Sequence, residues 1–232
     1  MYPAGAYVTL EHEYILIVRK GGKREFMTDA EKKRRRESAI FWEERNAWYS
    51  DVWMELKGAR QNLGKKETRS RSGAFPFELA YRLISMFSAK GDTVVDPFLG
   101  TGTTLRAAVA AGRNSIGYEI EPEFRQDVFA DLAALTAQAQ QRIRSRIDEH
   151  LSFVEQRHAA VRDIKYINRP YRFPVVTRQE TELLIDLLED VSPSERDSLR
   201  ATYSDDACRV LDPQRSVSAA PRSETNGQLS LF

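Results

Sequence analysis

Residues 91–122 read GDTVVDPFLGTGTTLRAAVAAGRNSIGYEIEP, and the fold turns on how this stretch is understood. Thr93 to Val95 form a short apolar run, which suits a buried parallel strand. Two glycines, Gly100 and Gly102, stand two positions apart in the turn that follows. An alanine-rich segment from Thr104 to Ala111 favours a helix, and Gly112 ends it. A second apolar strand, Ser115 to Tyr118, runs out on an acid, Glu119. The pattern is a strand, a glycine turn, a helix and a parallel strand with a carboxylate at its tip. Glycines let a backbone approach a ligand where a Cβ would clash, and an acid at that tip accepts hydrogen bonds from ribose hydroxyls. The unit therefore points to a nucleoside-bearing cofactor.

Three classes of cofactor use such a unit. Dinucleotide folds show G-x-G-x-x-G, but Leu105 stands at the third glycine. Phosphate-cradling loops need Gly-Lys-Ser/Thr, and no lysine follows Gly102. S-adenosylmethionine remains, a cofactor with no phosphate and so no need of that lysine. The wording DPFLGTGTT, residues 96–104, closely resembles the DPFxGxGTT signature of the DNA amino-methyltransferases, which methylate the exocyclic nitrogen of cytosine (N4) or adenine (N6). The resemblance implies an α/β fold built on a Rossmann-like S-adenosylmethionine-dependent methyltransferase sheet. It assigns cofactor contacts to Asp96, Pro97, Phe98, Gly100, Gly102, Thr103 and Thr104, with Glu119 on the ribose and Ile120 beside the adenine.

Upstream, residues 72–87 (SGAFPFELAYRLISMF) read as a turn and then an amphipathic helix beginning after Pro76, with Leu79, Leu83, Met86 and Phe87 expected to face the sheet. This segment resembles the family's HPAxFPxxLAxRLI stretch, although Arg71 and Ser72 replace the His-Pro pair. Ala74, Phe75 and Pro76 are the positions that carry over as lining the methionine half of the pocket. Nearer the start, residues 14–18 (YILIV) form a strongly β-prone run bounded by Gly21 and Gly22, which predicts a sheet strand. The surrounding HEYILIVRK resembles the family segment that precedes the target-recognition region. His12 within it reads as structural.

Between these segments lies the most basic part of the chain, which also promises the least regular structure. Lys32, Lys33, Arg34, Arg35 and Arg36 form a run, followed by Arg60, Lys65, Lys66, Arg69 and Arg71. These cations are expected to contact DNA phosphates. The aromatics among them, Phe41, Trp42, Trp48, Tyr49 and Trp53, are expected to pack the region onto the domain. Residues 57–70 have few apolar side chains and read as a loop that orders on DNA. Net charge is only +1, so any nucleic-acid surface must be local.

Amino-group methylation demands a device for the delocalised nitrogen: hydrogen-bond acceptors for the amine, and an aromatic ring stacked on the flipped base. The family supplies it with Asp/Ser/Asn-Pro-Pro-aromatic, and no Pro-Pro pair occurs in the sequence. Asn168-Arg169-Pro170-Tyr171 is the nearest imitation, spoiled by Arg169. The sheet is therefore expected to be incomplete, with the catalytic motif supplied by an upstream segment or a second polypeptide. The order of segments matches the permuted arrangement in which the catalytic half precedes the cofactor half.

Downstream, residues 121–160 favour a long helix with Phe124, Val128, Leu132 and Leu135 as its apolar stripe, and past Thr136 the helix is expected to project or to pack at the edge. Pro174 marks residues 171–177 as an edge strand. Residues 179–191 read as an acidic amphipathic helix, with a further short helical piece after it. From Pro213 the composition predicts disorder, yet the chain ends on QLSLF. Gln228, Leu229, Leu231 and Phe232 resemble the pentapeptide that binds the bacterial sliding clamp. The expected organisation is thus a core strand (1–22), a basic recognition insertion (23–71), a cofactor core (72–135), a helical extension (136–211) and a disordered tail (212–232). The single cysteine, Cys208, excludes a disulfide framework and a zinc cluster. No secretory signal or membrane-length apolar run is visible, so the expectation is a cytoplasmic enzyme acting on double-stranded DNA with its target base flipped out.

Overall fold

The computed structural model describes residues 12–56, 75–160, 164–194, 197–204 and 206. Ala74, Arg60, Lys65, Lys66, Arg69, Arg71 and the C-terminal Gln228, Leu229, Leu231 and Phe232 lie outside the described residues, as do the loop expected over 57–70 and the tail.

The central unit is the one expected. Strand β1 (Thr93–Asp96) leads through the glycine turn into helix α4 (Thr103–Ala110) and on to β2 (Asn114–Gly117). The two strands are parallel, with Thr93 opposite Asn114 and Asp96 opposite Gly117. Among the described residues β1 pairs with β2 alone, so the expectation of a buried strand fails. Val95 is 57% exposed, and Ile116 and Tyr118 are also open to solvent. A parallel pair is ordinarily covered on both faces. Here α4 covers one side only.

Helix α3 (Phe77–Phe87) precedes β1 and packs on α4. Its buried face is Ala80, Tyr81, Ile84 and Ser85, one step round from the stripe expected to meet the sheet. Leu79, Leu83 and Met86 are only partly covered and Phe87 is exposed. The small side chains of α4, Ala107, Ala108 and Ala110, admit a close helix–helix approach, and that contact takes the tyrosine.

The basic region is more regular than its composition suggests. It contains α1 (Asp29–Glu37) and α2 (Trp42–Trp48). Thr28 caps α1: its hydroxyl accepts from the Glu31 amide at 3.2 Å, while Glu31 Oε2 accepts from the Thr28 amide at 2.9 Å. Those backbone and hydroxyl donors hold the Glu31 carboxyl below its ordinary range. Residues 14–18, by contrast, form no strand, and Tyr14 is 90% exposed. A β-prone run needs a ladder partner, and no described strand lies beside it.

After β2 the expected single helix is two. Helix α5 (Phe124–Phe129) stops before Asp131, whose left-handed φ of 50° turns the chain, and whose carboxylate caps α6 (Leu132–Ala159) by accepting from the Ala134 amide at 3.0 Å. The expectation that α6 projects past Thr136 is overturned. Ala139, Ile143, Arg146, Ile147, His150, Leu151 and Val154 are all buried, so the helix is the spine of the C-terminal part. Residues 179–191 are not an α-helix either. A 3-10 turn, Arg178–Glu182, gives way to extended chain in which Leu183, Ile185 and Leu187 alternate inward. Strand β5 (Leu188–Pro193) then pairs antiparallel with β6 (Leu199–Tyr203), where a helical piece was expected. Burial on α6 overrides helix propensity here. A two-residue ladder, β3 (Tyr166–Ile167) with β4 (Pro174–Val175), completes the extension. No helix among the described residues is long and apolar enough to cross a membrane.

Candidate functional site

The glycine turn is held by its own backbone and by one carboxylate. Asp96, at the end of β1, accepts from the Phe98 amide through Oδ1 at 2.9 Å, and its carbonyl accepts from the Tyr118 amide at 2.9 Å. The Leu99 amide donates to the Tyr118 carbonyl at 2.8 Å, so the turn is stitched across to the end of β2. Gly102 has φ of +84° and begins α4 in a left-handed conformation, with a would-be Cβ 3.3 Å from Val128 Cγ2. At Gly117 the constraint is proximity: a Cβ there would sit 2.6 Å from the Leu99 side chain. Glu119 closes the arrangement. Its Oε2 accepts from the Gly100 amide at 2.7 Å and its Oε1 from the Glu121 amide at 2.9 Å. An ionised carboxylate has about four lone-pair sites, so two remain for hydroxyl donors.

The structure thus brings Asp96, Gly100, Gly102 and Glu119 to one end of the parallel pair. Thr103 and Thr104 occupy the first turn of α4, and Phe98 and Ile120 stand at the rim, 86% and 91% exposed. Pro97 is exposed as well. Phe75 and Pro76 lie at the head of α3, joined to this unit through the α3–α4 contact. A concavity of about 890 Å³ lies elsewhere, along α6 between Ala137 and Gln156, and is lined by none of these residues.

The cations Lys32 to Arg36 all sit on α1, and all are exposed. Lys32 pairs with Asp29 at 3.8 Å, Lys33 with Glu37 at 3.6 Å and Arg36 with Glu182 at 2.5 Å, while Arg35 lies 5.0 Å over the Phe26 ring. The aromatics of this region divide. Phe41 and Trp48 are buried and Trp42 stacks on Phe153, whereas Tyr49 is exposed. Asn168 is fully buried: its amide donates to the carbonyls of Glu180 and Leu183 and its oxygen accepts from the Tyr171 amide. Asn168 thus serves to hold a turn together.

Sequence reasoning missed a polar lattice between α2 and α6. Arg146 donates to both oxygens of Glu44, at 2.5 and 2.7 Å, and to the Tyr81 hydroxyl at 3.0 Å. Burial alone would lower its pKa, but Glu44 and Tyr81 outweigh that and hold the guanidinium firmly charged. His150 lies 2.7 Å from Glu43 and 2.9 Å from the Pro174 carbonyl, with its ring stacked on Phe41 at 4.1 Å. The signal was available: Arg146 and His150 continue the helical spacing of Leu135, Ala139 and Ile143, so a stripe that looked ended was interrupted by paired polar groups.

A family model described as DNA methylase matches residues 1–130, more than half of the chain and the whole of the glycine turn. The chain belongs to the DNA methylase family. Among the relatives of this methylase, Type II methyltransferase M.MthZI of Methanothermobacter thermautotrophicus is 51% identical over 183 residues, covering 79% of this chain and 50% of that protein. Type II methyltransferase M.MjaI of Methanocaldococcus jannaschii is 52% identical over 123 residues, 53% of this chain and 39% of the other. The chain therefore spans half or less of the length of these two relatives. Among solved structures, a candidate DNA modification methylase of Thermus thermophilus, crystallised with S-adenosyl-L-methionine, is 34% identical, with 60% of this chain and 49% of that chain covered at a TM-score of 0.46.

Proposed function

We propose that this methylase chain is the cofactor-binding and DNA-contacting part of a restriction–modification enzyme that transfers a methyl group from S-adenosylmethionine to DNA. The observation that carries this reading is Glu119, anchored by the Gly100 and Glu121 amides at the tip of β2 with lone pairs left for a ribose. Asp96 orders the turn, Gly100 and Gly102 give the cofactor room, and Thr103 and Thr104 supply hydroxyls at the start of α4. Ala74, Phe75 and Pro76 would border the methionine half, and Pro97, Phe98 and Ile120 the rim. The acceptor is the exocyclic amine of a flipped cytosine (N4) or adenine (N6), with cytosine N4 favoured. When bound, S-adenosylmethionine supplies an electrophilic methyl group, and the residues described here hold and orient it.

Glu119→Ala is expected to weaken S-adenosylmethionine binding by about 1–3 kcal/mol, the magnitude for hydroxyl hydrogen bonds left unmade. Titration calorimetry reads this directly, and unchanged affinity would remove Glu119 from the site.

The acceptors for the target amine are proposed to come from a Pro-Pro-aromatic motif outside these residues, on an upstream segment or a second polypeptide. The solvent-open face of Val95, Ile116 and Tyr118 supports that reading, because a parallel sheet offers such a face to a further layer. Transfer of labelled methyl groups to duplex DNA separates this from the alternative, a non-catalytic DNA- or clamp-binding remnant. Incorporation only when a polypeptide bearing the motif is added supports the first, and none under either condition supports the remnant. Gln228, Leu229, Leu231 and Phe232 are proposed to dock on a sliding clamp as an extended peptide with two apolar anchors. Deleting residues 228–232 should abolish capture by purified clamp without changing the melting of the core, and capture that survives deletion refutes it.

A further inference from the structure

We infer that helix α6 and the segment from Arg178 to Leu184 form a bracket that fixes the basic helix α1 for its encounter with DNA, with Glu44, Arg146 and Glu182 as positioning residues. This rests on the reading of α1 as a DNA contact. Helix α1 has no buried residue, so no apolar side chain of its own anchors it in a core. It is held at its two ends. Before it, Arg24 donates to Asp92 at 2.5 and 3.0 Å, beside the start of β1. In its last turn and cap, Arg36 meets Glu182, the Leu184 amide donates to the Glu37 carbonyl at 3.0 Å, and the Lys90 amide donates to Ser38 Oγ at 2.8 Å. The chain then enters the interior: Phe41 is buried against His150, the Trp42 amide donates to Glu180 at 2.9 Å, and Glu44 receives the Arg146 fork.

The chemistry of this last pair indicates positioning. A buried ion pair gains little net stability over well-packed apolar side chains, because the desolvation of both charges offsets their attraction. What a bidentate guanidinium–carboxylate pair does supply is one defined geometry, since the planar fork fits the carboxylate in a single register. A helix that must present several cations to successive phosphates needs such a register fixed before binding, or it loses affinity in ordering itself.

The test uses the full chain, a fluorescein-labelled duplex read by anisotropy, and S-adenosylmethionine titrated by calorimetry. Glu44→Gln removes a negative charge, so simple electrostatics would tighten DNA binding. Positioning requires the opposite sign: DNA affinity should fall by about fivefold, the range in which linking residues modulate a remote site, with cofactor affinity unchanged. The double variant Glu44→Met with Arg146→Met should restore DNA affinity, since apolar packing refills the seat. Glu182→Gln, on the surface, serves if Glu44→Gln fails to fold, and should weaken DNA binding by about twofold in spite of the negative charge it removes. Wild-type DNA affinity or tighter in the folded single variants overturns the bracket alone. If the wild-type chain binds no duplex while still binding cofactor, the DNA reading of α1 falls and takes the bracket with it.

Discussion

Arg146→Met is expected to lower the unfolding free energy of the chain by about 3–5 kcal/mol, the cost of leaving one member of a buried ion pair without the other. The side chains of Arg146 and Glu44 are each only 6% exposed, so water cannot replace the lost partner. Methionine fills much of the volume but donates nothing, and Glu44 then keeps a single acceptor bond, from the Phe41 amide at 3.2 Å. The Tyr81 hydroxyl loses its donor as well. Urea denaturation followed by circular dichroism measures the difference. Arg144→Met provides the reference two positions earlier on α6: Arg144 is exposed, and its substitution should change stability by no more than about 0.5 kcal/mol. Equal losses for the two variants would show that the lattice between α2 and α6 contributes nothing special.

Gly102→Val should remove most cofactor binding, with affinity at least about tenfold weaker. Two costs coincide at this position. A β-branched residue at φ of +84° is strained by about 1–3 kcal/mol, and its Cβ would press on Val128, which α5 holds in place. The turn can relieve both only by rotating the start of α4, which would carry Thr103 and Thr104 away from Glu119. Gly22→Val is the matched control, because a Cβ there meets nothing within 4 Å and its φ lies outside the left-handed range. Calorimetry with S-adenosylmethionine on both variants gives the comparison, and full binding by Gly102→Val would refute the proposed role of the turn.

How far the sequence was legible follows from where each element finds its partners. The β1–turn–α4–β2 unit was readable because its contacts are local: glycines, an alanine helix and a terminal acid, all within residues 91–122. The helix face of α3 was misjudged because Leu79 and Leu83 are larger than Ala80 and Ser85. The small residues are nonetheless the buried ones, because they allow close approach to Ala107 and Ala108. Residues 183–191 looked helical from their leucines, but β5 is extended because β6 and α6 offer it a ladder and a packed face. YILIV looked like a strand and is one only in propensity, for a strand needs a neighbour. In the candidate site, the placement of Glu119 at the tip of β2 was legible. Its bond to Gly100 was not, since it joins residues 19 apart across a turn whose geometry no spacing rule conveys. The lattice of Glu44, Arg146 and His150 stayed hidden because charged residues in a helical stripe resemble its end.

The bareness of α1 has one more consequence. Since none of its side chains enters either core, the identities of residues 29–35, apart from Glu31 in the Thr28 cap, are not tied to core packing. Selection can rewrite that stretch while Thr28 at one end and Arg36 to Phe41 at the other stay as they are. The helix is built as an interchangeable cassette, whose exposed face can change without refolding the glycine turn or the two cores.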